Sequence, residues 1–257
     1  MRLDRALAAA LLILSSGCRA EPQPPPSDEP PPRAALGLMG PVPIYWGEEA
    51  AFGGALSGNA TAHWARAQLE AGYTLRPLDT LSDESLADLD FLLLAQPRAL
   101  GAAENVALDS WIRAGGRLLL FADPMLTGES RFAIGDRRRP QDVILLSPIL
   151  TRWGLRLQFD EAQPAGFAVL RDAAPIPVNL AGHFALGEGE ATCSLGAEGV
   201  LARCDVGRGR VIVLADAALL DLYGAHPSSP AALAWLVREG FGTAAGNAPE
   251  AGRSTPH

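Results

Sequence analysis

Ala114-Gly-Gly-Arg-Leu-Leu-Leu-Phe-Ala-Asp-Pro124 spells out a helix end, a tight turn, a buried strand and an acid at the strand's C-terminal lip. Upstream, Leu108, Trp111 and Ile112 recur at helical spacing. Gly115 and Gly116 can stop that helix, because glycine reaches positive φ without a steric cost. Leu118 to Ala122 is an unbroken apolar run, the pattern of a strand covered on both faces. Asp123-Pro124 then breaks it. In open α/β sheets the ligand crevice lies outside the carboxyl ends of the strands. Asp123 and the loop after it are therefore the first place to look for a site.

Working outward, the same alternation continues on both sides. Leu36–Met39 reads as a strand, Thr61–Gly72 as a helix capped by Thr61, and Tyr73–Leu78 as a strand broken near Pro77. Ser82–Leu89 is a short helix, Phe91–Ala95 a buried strand and Ala99–Ala114 the helix already met. Such alternation predicts parallel strands joined by right-handed crossovers. Pro124–Gln141 is a long polar loop, and loops beyond about 12 residues inside a domain are usually functional or mobile. Ser147-Pro148 reads as an N-cap and first helical position, ahead of a helix to Trp153 and a strand Leu155–Phe159. From 161 to 206 proline and glycine become frequent and short β-like pieces appear, which predicts an antiparallel insertion or edge. Gly207-Arg-Gly-Arg-Val-Ile-Val-Leu-Ala-Asp216 then repeats the opening theme. Leu219–Tyr223 and Pro230–Phe241 read as helical. The expected fold is a flavodoxin-like three-layer α/β sandwich with a mainly parallel sheet, spanning 36–242 as a single domain.

The ends carry address information. Two arginines in the first five residues, an apolar run Ala6–Leu14 and Ser15-Ser-Gly-Cys18 read as a signal peptide over 1–17. The apolar run is well short of the roughly 20 residues that span a bilayer. Cys18 after Gly17 resembles a bacterial lipoprotein lipobox, which implies lipidation of Cys18, although Ser15 stands where that pattern usually has leucine. The other reading is ordinary signal cleavage with an incidental cysteine, leaving a soluble periplasmic protein. Residues 18–35 form a proline-rich linker, extended at about 3.1 Å per residue, and 243–257 a polar, disordered tail.

Chemistry is harder to find. The 257-residue chain is 48% apolar and carries a net charge of −8, which argues against general nucleic-acid binding. Cys193 and Cys204 flank Gly196-Ala-Glu-Gly199, a hairpin turn that would bring them near-opposite. In an exported protein this predicts a disulfide, and with no histidine nearby in sequence a metal site is not indicated. Asp123 and Asp216 both end apolar strands. They read either as a ligand, cation or acid–base pair in one crevice or as caps of the next turn. Glu129, Arg131, Asp136 and Arg137 sit in the long loop, where Arg137-Arg-Arg139 suits either anion recognition or a solvated surface. Trp46 and Glu48 could line a sugar- or peptide-binding cleft, or Trp46 could pack in the core. No Gly-x-Ser-x-Gly elbow and no Walker A motif are present. Gly207-Arg-Gly-Arg210 precedes a strand and reads as a β-turn. His63, His183, His226 and His257 are scattered and suggest no metal pair; His63 is expected on a helix surface. No cofactor is implied.

The glycine-bounded strand ending in Asp-Pro, the helix end Leu150-Thr-Arg-Trp-Gly154, and the strand Gly207–Asp216 together resemble a bacterial family. These are the extracytoplasmic auxiliary domains of uncharacterised ABC transport systems, including the gliding-motility type. The resemblance covers roughly 36–241 and implies a class I glutamine-amidotransferase-like fold without the catalytic cysteine. It implies a non-catalytic binding or assembly role beside a transporter or envelope partner, with the ligand unnamed. Such domains often precede a transmembrane helix. Here a polar tail follows, so a lipid anchor would have to hold the protein at the membrane. Two alternatives stay open: a hydrolase or transferase using the strand-end carboxylates, and a purely structural envelope protein.

Overall fold

The structure is a computed structural model and describes residues 33–48, 62–136 and 139–242. The signal peptide, Cys18, residues 18–32 of the linker, Thr61, Arg137 and the tail lie outside the described residues, and Ala35 at the linker's end already belongs to the first strand.

Four apolar strands form the centre of the molecule: β1 (Ala35–Met39), β3 (Phe91–Ala95), β4 (Arg117–Phe121) and β11 (Gly209–Leu214). Leu93, Leu119 and Ile212 stand in one row across three of them, all fully buried. Burial of both faces explains why these strands read as continuous apolar runs rather than alternating ones. β2 (Thr74–Pro77) is one edge, as Pro77 permits. The sheet order is β2-β1-β3-β4-β11-β10-β9, with β10 (Leu201–Val206) and β9 (Thr192–Gly196) at the far edge, and the first five strands run parallel. This is a mixed α/β fold with a mostly parallel central sheet in flavodoxin-like order.

The order fixes the layers. The step from β1 to β2 goes one way along the sheet, and the steps from β2 to β3 and on to β4 go the other. With crossovers of one hand, the connecting helices fall on opposite faces. Helix α1 (Trp64–Glu70) packs with α5 (Ser229–Phe241), which lies on β4 and β11. Helix α3 (Ala102–Arg113) touches α2 (Asp83–Leu86), α4 (Ser147–Arg152) and β11. Gly115 takes φ +122 at the end of α3, and a Cβ on Gly116 would meet the Trp111 ring at 2.5 Å. The two glycines thus do different jobs: one turns the chain, the other lets a tryptophan cover the strand's start.

Two expectations need correction, those for Ser147 and His63. The expected strand Leu155–Phe159 forms, and its partner lies off the main sheet: β5 (Leu155–Gln158) pairs antiparallel with β8 (His183–Leu186) in a small separate sheet. Its burial alternates, so one side faces solvent. A second hairpin, β6 (Phe167–Arg171) with β7 (Pro175–Asn179), follows. Ser147 is not the cap of α4 but its first residue, and Leu146 holds the cap position without a side-chain bond. His63 is not on a surface. It is 1% exposed and caps α1, its Nδ1 accepting from Ala65 N at 3.1 Å. Its Nε2 donates to Leu220 O at 2.8 Å, which fixes the neutral tautomer, and burial pushes its pKa down.

The cysteine hairpin is β9 (Thr192–Gly196) and β10 (Leu201–Val206), which add an antiparallel edge to the sheet. Cys193 and Cys204 are direct cross-strand partners, 4.1 Å apart at Cα, and they form the expected disulfide. Replacing both with serine should cost about 2–3 kcal/mol for a loop of this length, read as a lower midpoint in denaturant that matches the wild type under reductant.

Asp109 of α3 is a buried acid whose role the sequence concealed. Its Oδ2 accepts from Arg113 and Arg152, both at 2.8 Å, and its Oδ1 from the indole of fully buried Trp153 at 3.0 Å. It therefore pins α4 and the start of β5 to α3. Asp109→Ala should destabilise by about 2–3 kcal/mol, because it strands a buried indole N–H as well as two guanidinium groups. A chemical-denaturation curve checks this.

Candidate functional site

The register between β4 and β11 pairs Phe121 with Leu214, so Asp123 and Asp216, two residues further on, stand side by side. Both are fully buried. Asp123 accepts from Met125 N at 2.8 Å through Oδ1 and from Ala217 N at 2.9 Å through Oδ2. Asp216 accepts from Ala218 N and from Asn179 N, both at 2.8 Å. All four carboxyl oxygens thus face backbone donors, three in the segments after β4 and β11 and one at the last residue of β7. The structure brings the two acids together and opens neither to a groove.

Gln96 completes the arrangement. It follows β3 with φ +51 and is fully buried. Its Oε1 accepts from Asp123 N at 2.8 Å, and its amide donates to Asp123 O at 2.9 Å and Gln141 O at 3.0 Å. Ile144 N adds a bond to Asp123 O at 3.0 Å, so the start and end of the long loop are tied to one residue. Nothing in the sequence pattern marks Gln96 as more than the residue after a strand.

The electrostatics follow from burial. Loss of water pushes Asp123 up to about 7, against the pull of its two N–H bonds. Asp216 is raised by burial and then by the neighbouring Asp123. Asp221 is also raised to about 7, by burial and then by Asp123 and Glu129. Among the described residues no group of three or more His, Cys, Asp or Glu side chains is placed to hold a metal ion.

The remaining candidates separate. Glu48 is 5% exposed, and its Oε2 accepts from Arg131 N at 3.0 Å. Glu48 and exposed Glu129 line a cavity of about 20 Å³ beside Asp221, room for a single water. Arg131 and Asp136 lie in the long loop, Arg131 exposed and Asp136 half-buried. Trp46 parts company with Glu48: it is 65% exposed, so it is not a core residue. It lines a cavity of about 230 Å³ with Tyr45, Phe132 and three prolines. A larger groove of about 430 Å³ adjoins it, lined by Asp79, Arg98, Arg139 and Gln141 over Met39, Gly40, Pro41 and Leu78. Arg98, Asp79 and Gln141 carried no motif; only the sheet order brings the loops after β1, β2, β3 and β4 together.

Residues 52–171 match the family described as ABC-type uncharacterized transport system. The matched span holds every element from α1 to β6, including Gln96 and Asp123. It supports the resemblance carried by Ala114–Pro124 to the auxiliary domain of such a system. No curated protein matches the chain. Among solved structures, an exo-β-1,4-mannosidase from Opitutaceae bacterium strain TAV5 is 15% identical with a TM-score of 0.44, covering 80% of this chain and 34% of that one. A β-galactosidase from Rahnella sp. R3 is 12% identical with a TM-score of 0.45, covering 80% and 31%. The chain therefore spans about a third of the length of these two enzymes. A ThuA-like protein from Bacteroides uniformis is 10% identical with a TM-score of 0.43, covering 84% of this chain and 95% of that one.

The raised carboxyl pKa values make stability depend on pH. Folded Asp123 holds a proton that the unfolded chain has already released, so its contribution falls as pH rises from about 4 to about 7. His63 acts the other way below its ordinary 6.5, because folding keeps it neutral. Comparing wild type with Asp123→Asn isolates the first effect. The variant should be less stable by about 1–3 kcal/mol at pH 5, since an amide nitrogen meets a backbone donor. The gap should narrow by pH 8. Thermal unfolding across that range measures it.

Proposed function

We propose that this protein is a non-catalytic module held at the outer face of a bacterial membrane, where it binds a ligand or partner as an auxiliary to an ABC-type transport system. The family match over 52–171 carries this reading. The Cys193–Cys204 disulfide supports a place outside the reducing cytoplasm. Cys18 would supply the tether, the proline-rich 18–35 stretch a spacer, and 36–242 the working domain. Among the described residues no helix is long and apolar enough to cross a membrane. The candidate surface is the C-terminal edge of the sheet, with Trp46, Glu129, Arg131 and Asp136 in its loops and Glu48, Asp123 and Asp216 buried beneath them.

The hydrolase or transferase alternative asks Asp123 or Asp216 to act on a substrate. Their burial and their four backbone partners favour a structural role instead.

Fractionation of the native host tests the tether and the association together. The full-length protein should sediment with membranes and, after mild cross-linking, bring down subunits of an ABC transporter. Cys18→Ala should leave the protein in the soluble extracytoplasmic fraction. A wild-type protein that stays soluble, or one that captures cytoplasmic enzymes alone, would falsify the proposal.

A further inference from the structure

The strand order reverses between β1 and β3: the chain leaves β1 toward β2 on one side and returns to β3 on the other. Loops after these strands diverge and leave a crevice, the usual ligand position in such sheets. In this protein the crevice holds the 430 Å³ groove, and the 230 Å³ aromatic cavity shares Gly40, Pro41, Leu78 and Asp79 with it. The acid pair at β4 and β11 lies elsewhere along the same edge. From this geometry we infer that the joined groove is a saccharide-binding site, with Trp46 as its stacking platform and Asp79, Arg139 and Gln141 as its hydroxyl-binding end. This deepens the binding-module reading above and rests on it.

Two features set the ligand class. The first is a fixed, exposed aromatic face. Trp46 packs edge-on against Tyr45 at 4.7 Å between ring centroids. Tyr45 is itself held by Arg66, whose guanidinium lies 4.6 Å over its ring and donates to its carbonyl at 2.6 Å. The indole is thus braced from behind while 65% exposed. A flat apolar face beside water fits the C–H face of a sugar ring, which is apolar over its plane and polar at its rim.

The second feature is charge balance. Two arginines alone would suggest an anion. Arg98, however, is fully engaged by Glu104 in a two-pronged pair at 2.7 Å on each arm, which draws Glu104 down to about 2. It also donates to Asp79 O at 3.1 Å, setting that loop's backbone. Arg139 has Asp142 at 3.5 Å and donates to Phe132 O at 3.1 Å. Exposed Asp79 then adds a carboxylate to the lining. What remains is a mixture of donors and acceptors with no net positive charge. Hydroxyl pairs use such a mixture, each giving one hydrogen bond and taking another. A phosphate or carboxylate would have to approach Asp79 and compete with Glu104 for Arg98.

The test uses the full-length protein on immobilised oligosaccharides built from hexoses, N-acetylhexosamines and uronic acids. Wild type should be retained on at least one series, with quenching of tryptophan fluorescence by the same free oligosaccharide. Trp46→Ala should weaken retention about ten-fold, the loss of one stacked ring, and Asp79→Ala should weaken it further. Trp46 is exposed, so its loss should leave thermal unfolding unchanged. Retention of both variants at wild-type strength overturns the assignment. So does failure of the wild type on every series; if the membrane fraction still yields the transporter, only the saccharide is lost and the auxiliary module stands.

Discussion

Two carboxylates buried side by side, each accepting two backbone N–H groups, organise the C-terminal edge of this sheet. A parallel sheet ends in loops whose amides have no ladder partner, and where those loops are covered they need acceptors from side chains. Asp123 supplies them to its own turn and to the turn after β11. Asp216 supplies them to its own turn and to the hairpin strand β7. The antiparallel insertion is therefore tied to the parallel core through an acid. The cost is burial, which raises the pKa of both residues, and for Asp216 the neighbouring Asp123 raises it further.

This arrangement divides the edge into two regions with different physics. Over β4 and β11 the loops are clamped shut, with Gln96 bonding the β4 loop to the end of β3. Over β1 and β2 the loops part, and cavities of useful size appear. A clamp beside an opening is a sensible pairing. The opening keeps its shape only if the loop that borders it, Pro124–Leu146, is fixed at both ends. Asp123 does that through Met125 near the start and, by its own carbonyl, through Ile144 near the end.

The layered sheet was legible because its signals are local. Apolar runs of five residues, bounded by glycine before and Asp after, can hardly be anything but buried parallel strands. The disulfide was legible for the same reason: the cysteines are eleven positions apart in sequence and a glycine-flanked turn lies between them. Long-range pairing was not. Leu155–Gln158 is a short strand with no feature that tells a main-sheet neighbour from β8, about thirty residues on. His63 looked like a surface residue because its partner, Leu220 O, lies 157 residues away. Strand ends drew attention to Asp123 and Asp216, yet the reversal of strand order that opens a groove is a property of the whole sheet, and Asp79, Arg98 and Gln141 have no local mark.

Burial also decides how the acid pair should be read chemically. A general base must reach the proton it removes, and a nucleophilic carboxylate must reach its carbon. Asp123 and Asp216 have no exposed surface, and moving either outward would orphan two amides at once, each at about 1–3 kcal/mol. Glu48 is similarly committed to the amide of Arg131. Exposed Trp46 and Asp79 are under no such constraint and face the larger cavities. The exposed groups at this edge therefore lie over β1 and β2, while the acids that first attract notice hold the backbone after β4 and β11 and the end of β7.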